Sequence, residues 1–160
     1  LAERLAEAGS ADAAVRILEA TIQPALTAPD PLVMAAVRML GPWQAGSVTE
    51  VAGTLGVSTR HLRRRCLHTV GYSAKTIHRI LRFQGFLALV GTSTSERGEA
   101  GLAELAAAAG YADQAHLTRD CGRLTGLTPR AFLAERAEIC GPTHDHATSF
   151  RPLLASHARA

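Results

Sequence analysis

A chain of 160 residues fits one large domain or two small ones, and a composition that is 47% apolar but only 4% aromatic calls for a core of Ala, Leu, Val and Ile, favouring helix over sheet. No run of about 18 apolar residues occurs, which excludes a membrane-spanning helix, and Cys66, Cys121 and Cys140 have no paired spacing, which argues against a disulfide framework and fits a reducing cytoplasm. The net charge is only +3, yet Val51 to Ser95 carries Arg60, Arg63, Arg64, Arg65, Lys75, Arg79 and Arg82 with no Asp or Glu, so a basic block sits in an acidic frame and points to a polyanion partner.

In chain order, residues 1–26 read as two short amphipathic helices. Leu1, Leu5 and Ala8 lie on one face, Val15, Ile17, Leu18 and Ile22 follow, Ser10 is a candidate N-cap and Pro24 a break. Asp30-Pro31 opens a helix that Gly41-Pro42 ends. Ser47 and Glu50 have the spacing of a capping box at the head of a short helix stopped by Gly56. Ser58 caps the next helix, Thr59 to Val70, which ends at Gly71; Ser73 caps another that runs to Val90. Residues 91–99 read as a loop, followed by a short helix, Leu102 to Ala109, stopped by Gly110. Asp113 caps a helix to Thr125 ended by Gly126, and Thr128-Pro129 opens the last helix, to Ile139. Beyond it the composition turns to Gly, Pro, His and Ser, so a disordered tail is expected. The start at Leu1, without Met, suggests a fragment of a longer protein.

The second half repeats the first. A shift of 54 residues lays Glu50 on Glu104, Ala52 on Ala106 and Gly56 on Gly110; a shift of 55 lays Leu62 on Leu117, Arg64 on Arg119, Cys66 on Cys121 and Gly71 on Gly126. The extra residue falls in the turn. Each copy is helix, Gly-containing turn, helix, the layout of a helix-turn-helix, whose second helix enters the major groove of DNA.

These residues resemble a known family. Val51-Ala52, Leu55-Gly56-Val57-Ser58, His61-Leu62, Arg64 and Gly71-Tyr72-Ser73 in the first copy are similar to the C-terminal DNA-binding domain of AraC/XylS-type regulators. So are Leu105-Ala106, the run Gly110 to Arg119, Gly126-Leu127-Thr128-Pro129 and Phe132 in the second, and the run is the most specific part. The resemblance covers residues 31–139. It implies an all-α fold in which two helix-turn-helix subdomains, residues 29–73 and 92–139, are joined by a linker helix, 74–91. An extension, 1–28, precedes them and a tail, 140–160, follows. The chain departs from the pattern at Cys66 and Cys121, where a large aromatic is usual, at Ala74, where Pro is common, and at Gly85, where Ala is usual. Gly85 is expected to soften the linker by about 1 kcal/mol.

The resemblance implies a bacterial, cytoplasmic, sequence-specific regulator, an activator of transcription bound to double-stranded promoter or operator DNA. RNA polymerase would be a further partner, and a small-molecule effector would act only through a missing N-terminal domain. It implies no cofactor, no metal and no catalytic residue. In the first recognition helix, Leu62, Cys66 and Val70 are expected to be buried, which turns Arg60, His61, Arg63 and Arg64 outward; the resemblance places the three arginines toward the groove, where Arg suits guanine. In the second, Leu117, Cys121 and Leu124 form the apolar stripe and Gln114, Ala115, Thr118 and Arg119 face away from it. Asp120 is expected to repel the DNA backbone, and the free amides near Ser47, Val48 and Thr128 to hold phosphates. The alternative is a DNA-repair or metal-responsive regulator with a tail site built from Cys140, His144, Asp145, His146 and His157, whose spacing fits no strong metal pattern.

Overall fold

Side-chain caps set where the helices begin. In the computed structural model, which describes residues 1–23, 28–44, 46–92 and 99–140, Ser10, Ser47, Ser58, Ser73, Asp113 and Thr128 each accept a hydrogen bond from the amide three residues on. Among the described residues there are nine helices and no strand: α1 (Ala2–Ala6), α2 (Ala11–Ile22), α3 (Pro31–Met39), α4 (Val48–Thr54), α5 (Thr59–Val70), α6 (Ala74–Thr92), α7 (Glu99–Ala108), α8 (Gln114–Thr125) and α9 (Pro129–Cys140). Helix α6 runs through Gly91, where a loop was expected, and α7 begins three residues earlier than its periodicity suggests. Residues 93–98 of the expected loop, Pro24 and the tail residues from 141 onward lie outside the described residues.

The chain divides into two units, Leu1–Asp30 and Pro31–Ala160. In the first, α1 packs on α2, yet neither helix buries a residue fully, and Val15, Leu18 and Ile22 stay exposed. In the second unit the internal repeat is a repeat of geometry. Helices α5 and α8 are each 12 residues long. Gly71 and Gly126 close them with φ of +79° in both, the left-handed conformation that Gly adopts without steric cost. Before them, Val57 N–H donates to the Ala52 carbonyl and Tyr111 N–H to the Ala106 carbonyl, both at 3.0 Å.

Helix α6 belongs to both halves. Its Ala74 and Ile77 join Val33, Leu40, Leu62 and Cys66 in one core; its Phe83, Phe86, Leu87 and Ala88 join Ala106, Tyr111, Leu117 and Cys121 in another. At about 100° per residue, Leu81, which packs on the first core, and Phe83, which lies in the second, point about 160° apart, so the two cores take nearly opposite sides of the linker where they meet. The first core is aliphatic, as the composition suggests. The second is not: Trp43, Phe83, Phe86, Tyr111 and Phe132 all gather there, with Phe83 edge-on to Phe132 at 5.5 Å. These rings supply volume around Cys121, the thiol that stands where an aromatic is usual.

Val70 is 46% exposed, against the expectation that it is buried with Leu62 and Cys66. A spacing of four residues drifts by about 40° per step on a helix, so two steps carry Val70 off the buried face. Gly85 also differs from its reading as a soft spot. A Cβ on it would lie 2.7 Å from Cβ of Pro42, in the turn that brings Trp43, at φ +66°, against the second core. Gly85 makes room for that turn.

The joint between α6 and α8 is polar. Asp120, expected to face DNA, is 4% exposed and accepts a hydrogen bond from Arg79 Nε at 2.9 Å; Arg123 and His116 approach it at 3.8 and 3.6 Å. Arg82 donates to Nε2 of His78 at 2.9 Å and of His116 at 3.2 Å and lies 5.3 Å from the Tyr111 ring centroid. Burial first, and the Arg82 charge second, push His78 down to about 4, so the ring is neutral.

Three outcomes test this packing. Gly85→Ala should lower the unfolding free energy read from urea denaturation by a net of about 1–2 kcal/mol although Ala is the better helix former. Asp120→Ala should cost about 2–3 kcal/mol by stranding Arg79, and Arg79→Met with Asp120→Leu should recover most of it. The unfolded chain protonates its His78 below about pH 6.5 while the folded chain resists, so stability present above that pH is lost down to about pH 4. His78→Gln should flatten this part of the stability-pH profile in chemical denaturation.

Candidate nucleic-acid interface

Ser58 fixes the start of α5 by accepting from the His61 amide, and Leu62 and Cys66, both 0% exposed, fix its rotation. Most of what the first two turns leave outward is cationic. Arg60, Arg63 and Arg64 are exposed and His61 half-buried, and together with Ser58 and Leu67 they line a groove of about 450 Å³. Arg64 lies 3.4 Å from Nδ1 of His61, which orders its stem along the helix. Among the described residues, Arg60 and Arg63 have no hydrogen-bond or ion-pair partner. An arginine held out from a rigid helix with its donors unspent can meet a phosphate, or O6 and N7 of a guanine together.

The second helix of the pair presents a different chemistry. Ala115 and Arg119 are exposed on α8, and Gln114 and Thr118 are half-buried. The Thr118 hydroxyl donates to the Gln114 carbonyl at 2.9 Å, which leaves its methyl as the outward group, suited to an apolar contact such as a thymine methyl. Asp113 caps α8 through the His116 amide at 2.6 Å, as the sequence suggests. His116 packs edge-on to Tyr111 at 5.1 Å between ring centroids.

The eight residues singled out in the sequence thus form two clusters, one on each helix of the pair. Between them the sequence missed a third. Lys75, His78, Arg79 and Arg82 share one edge of α6, and this edge floors a cleft of about 600 Å³ walled by the start of α4 on one side and by Arg119 and Arg123 of α8 on the other. The spacing of 75, 79 and 82 was a usable signal, since positions three and four apart share a helix face. At the start of α4, one of the amides expected to be free for a phosphate is engaged within the chain. The Ser47 amide donates to Oε2 of Glu50 at 2.6 Å, and this bond, with the Ser47 hydroxyl, holds the Glu50 carboxyl below the usual carboxylate range.

Nothing in the described residues supports metal or thiol chemistry. No group of three or more His, Cys, Asp or Glu could hold an ion there, Cys66 and Cys121 are buried free thiols, and burial pushes the Cys121 thiol up, away from thiolate. The side chain of Cys140 and the tail histidines lie outside the described residues. No described helix is long and apolar enough to cross a membrane.

No curated protein and no solved structure matches the chain. The family model of a helix-turn-helix domain matches residues 51–135, just over half the sequence and the span that runs from α4 through both glycine turns into α9. Matched caps, matched left-handed glycines and a match across both repeats agree, and the chain belongs to the AraC/XylS-type helix-turn-helix family of DNA-binding transcription regulators.

Proposed function

We propose that this chain binds double-stranded promoter or operator DNA in a sequence-specific manner, with α5 and α8 in two adjacent major-groove segments. The observation that carries the reading is the pair of geometrically matched helix-turn-helix units in which the second helix of each turns its long polar side chains away from the core. Adjacent major-groove segments on one face lie about 34 Å apart, and one chain would read both, so its site need not be palindromic. Arg60, His61, Arg63 and Arg64 serve the first segment, Gln114, Ala115 and Thr118 the second, with Arg119 at its rim against the backbone. The arginines of α5 supply most of the affinity, because α8 offers fewer cations to phosphates.

The same reading makes the chain a non-enzymatic output module of a bacterial cytoplasmic regulator. An effector would act through a domain elsewhere in the protein, and RNA polymerase would be the partner through which bound DNA is activated. The packing of Cys66 and Cys121 into the two cores supports a structural role for both thiols rather than one in repair chemistry.

Selection of bound sequences from random duplex DNA at a stated salt concentration tests the proposal. The expected product is an asymmetric site with two conserved segments one helical turn apart. Arg63→Ala and Arg64→Ala should each weaken binding to it by about 1–3 kcal/mol and relax the sequence at one position. No enrichment of any sequence, with equal affinity for all duplexes, would remove the claim.

A further inference from the structure

We propose that the cleft between the two recognition helices is a phosphate clamp, in which Lys75 of α6 and Arg119 of α8 grip the DNA backbone between the two major-groove segments; this rests on the reading above. A duplex that shows one face to two major-groove probes shows that same face a minor groove between them, bordered by both sugar-phosphate strands. Whatever part of the protein spans the probes therefore meets phosphates rather than base edges.

The spanning part is the edge of α6. Between the sides that the two cores hold, one edge of that helix is polar: it carries Lys75, Arg79 and Arg82, and only Lys75 is exposed. These cations are not equivalent. Asp120 takes up Arg79 at 2.9 Å and Arg123 at 3.8 Å, and Arg82 is spent on His78 and His116. Lys75 and Arg119 are exposed, line the same cleft, and have no partner among the described residues. Lys75 also lines a second groove, of about 340 Å³, with Arg60 and Arg63 of α5. The unpaired cations thus form a continuous path from α5, across Lys75, to Arg119 on α8. Asp120 draws charge inward from the cleft and leaves the two outer cations for a polyanion. Such a path gives affinity without reading sequence, because every duplex has the same backbone.

The test is a salt series, from about 50 to 200 mM, of binding to two fluorescent duplexes: the selected site and a 30-base-pair duplex of mixed sequence. Lys75→Gln and Arg119→Gln should each lower the slope of log K against log salt by about 1, and the double variant by about 2. Affinity should fall by the same several-fold factor on both duplexes, whereas Arg63→Ala falls mainly on the selected one. Both substituted side chains are exposed and unpaired, so unchanged unfolding midpoints should accompany the change. An unchanged slope with normal wild-type binding overturns the clamp alone, and so does a loss confined to the selected duplex. Wild-type protein that binds neither duplex overturns the underlying reading of the chain as a DNA-binding module.

Discussion

One helix has to be apolar on two opposite sides at two different heights, and the arrangement of the second unit follows from how α6 meets that demand. Its first two turns close the aliphatic core beneath α5, and its later turns close the aromatic core beneath α8. A helix used in this way is not a rod between two finished domains. Its length fixes the offset between α5 and α8, and the angle between its buried faces fixes their relative rotation. The Pro42–Trp43 turn reinforces the link, because it leaves the first half of the unit and packs on the second through the gap at Gly85.

Charge finishes what the apolar faces begin. A carboxylate as buried as Asp120 costs several kcal/mol in desolvation unless it is paired, and Arg79 pairs it from the linker while Asp120 itself belongs to α8. The bond therefore holds α8 to the linker. The imidazoles of His78 and His116 flank Arg82 beside it, and the Tyr111 ring lies against the same guanidinium, so a polar seam lies along the edge of an otherwise apolar contact.

Features of the chain that depend on near neighbours were legible in its sequence. Ser47 with Glu50, Ser58, Asp113 and the glycines at 71 and 126 act within one helical turn, so their spacing is sufficient to place helix ends. The repeat was legible because both halves solve the same local problem, and it led to α5 and α8 and to the eight side chains on them. What could not be read depends on residues far apart in the chain. Asp120 looked like a surface acid because Arg79, its partner, is 41 positions away. Gly85 looked like a weak point because the ring it accommodates lies on a different element. Val70 was misplaced because a strict four-residue spacing overestimates how far one face of a helix continues. The cluster on the edge of α6 was visible as charge but not as the floor of a cleft, since only the folded chain brings the start of α4 and Arg119 of α8 to its sides.

A helix that closes two cores also forbids division. Cutting the gene within the stretch that encodes α6 would leave either half with an open hydrophobic floor, and ending it before α6 would expose Leu62 and Cys66. The halves, though alike enough to have arisen by duplication, are no longer interchangeable cassettes. Their surfaces can diverge freely, but neither can be inherited, swapped or lost without the other.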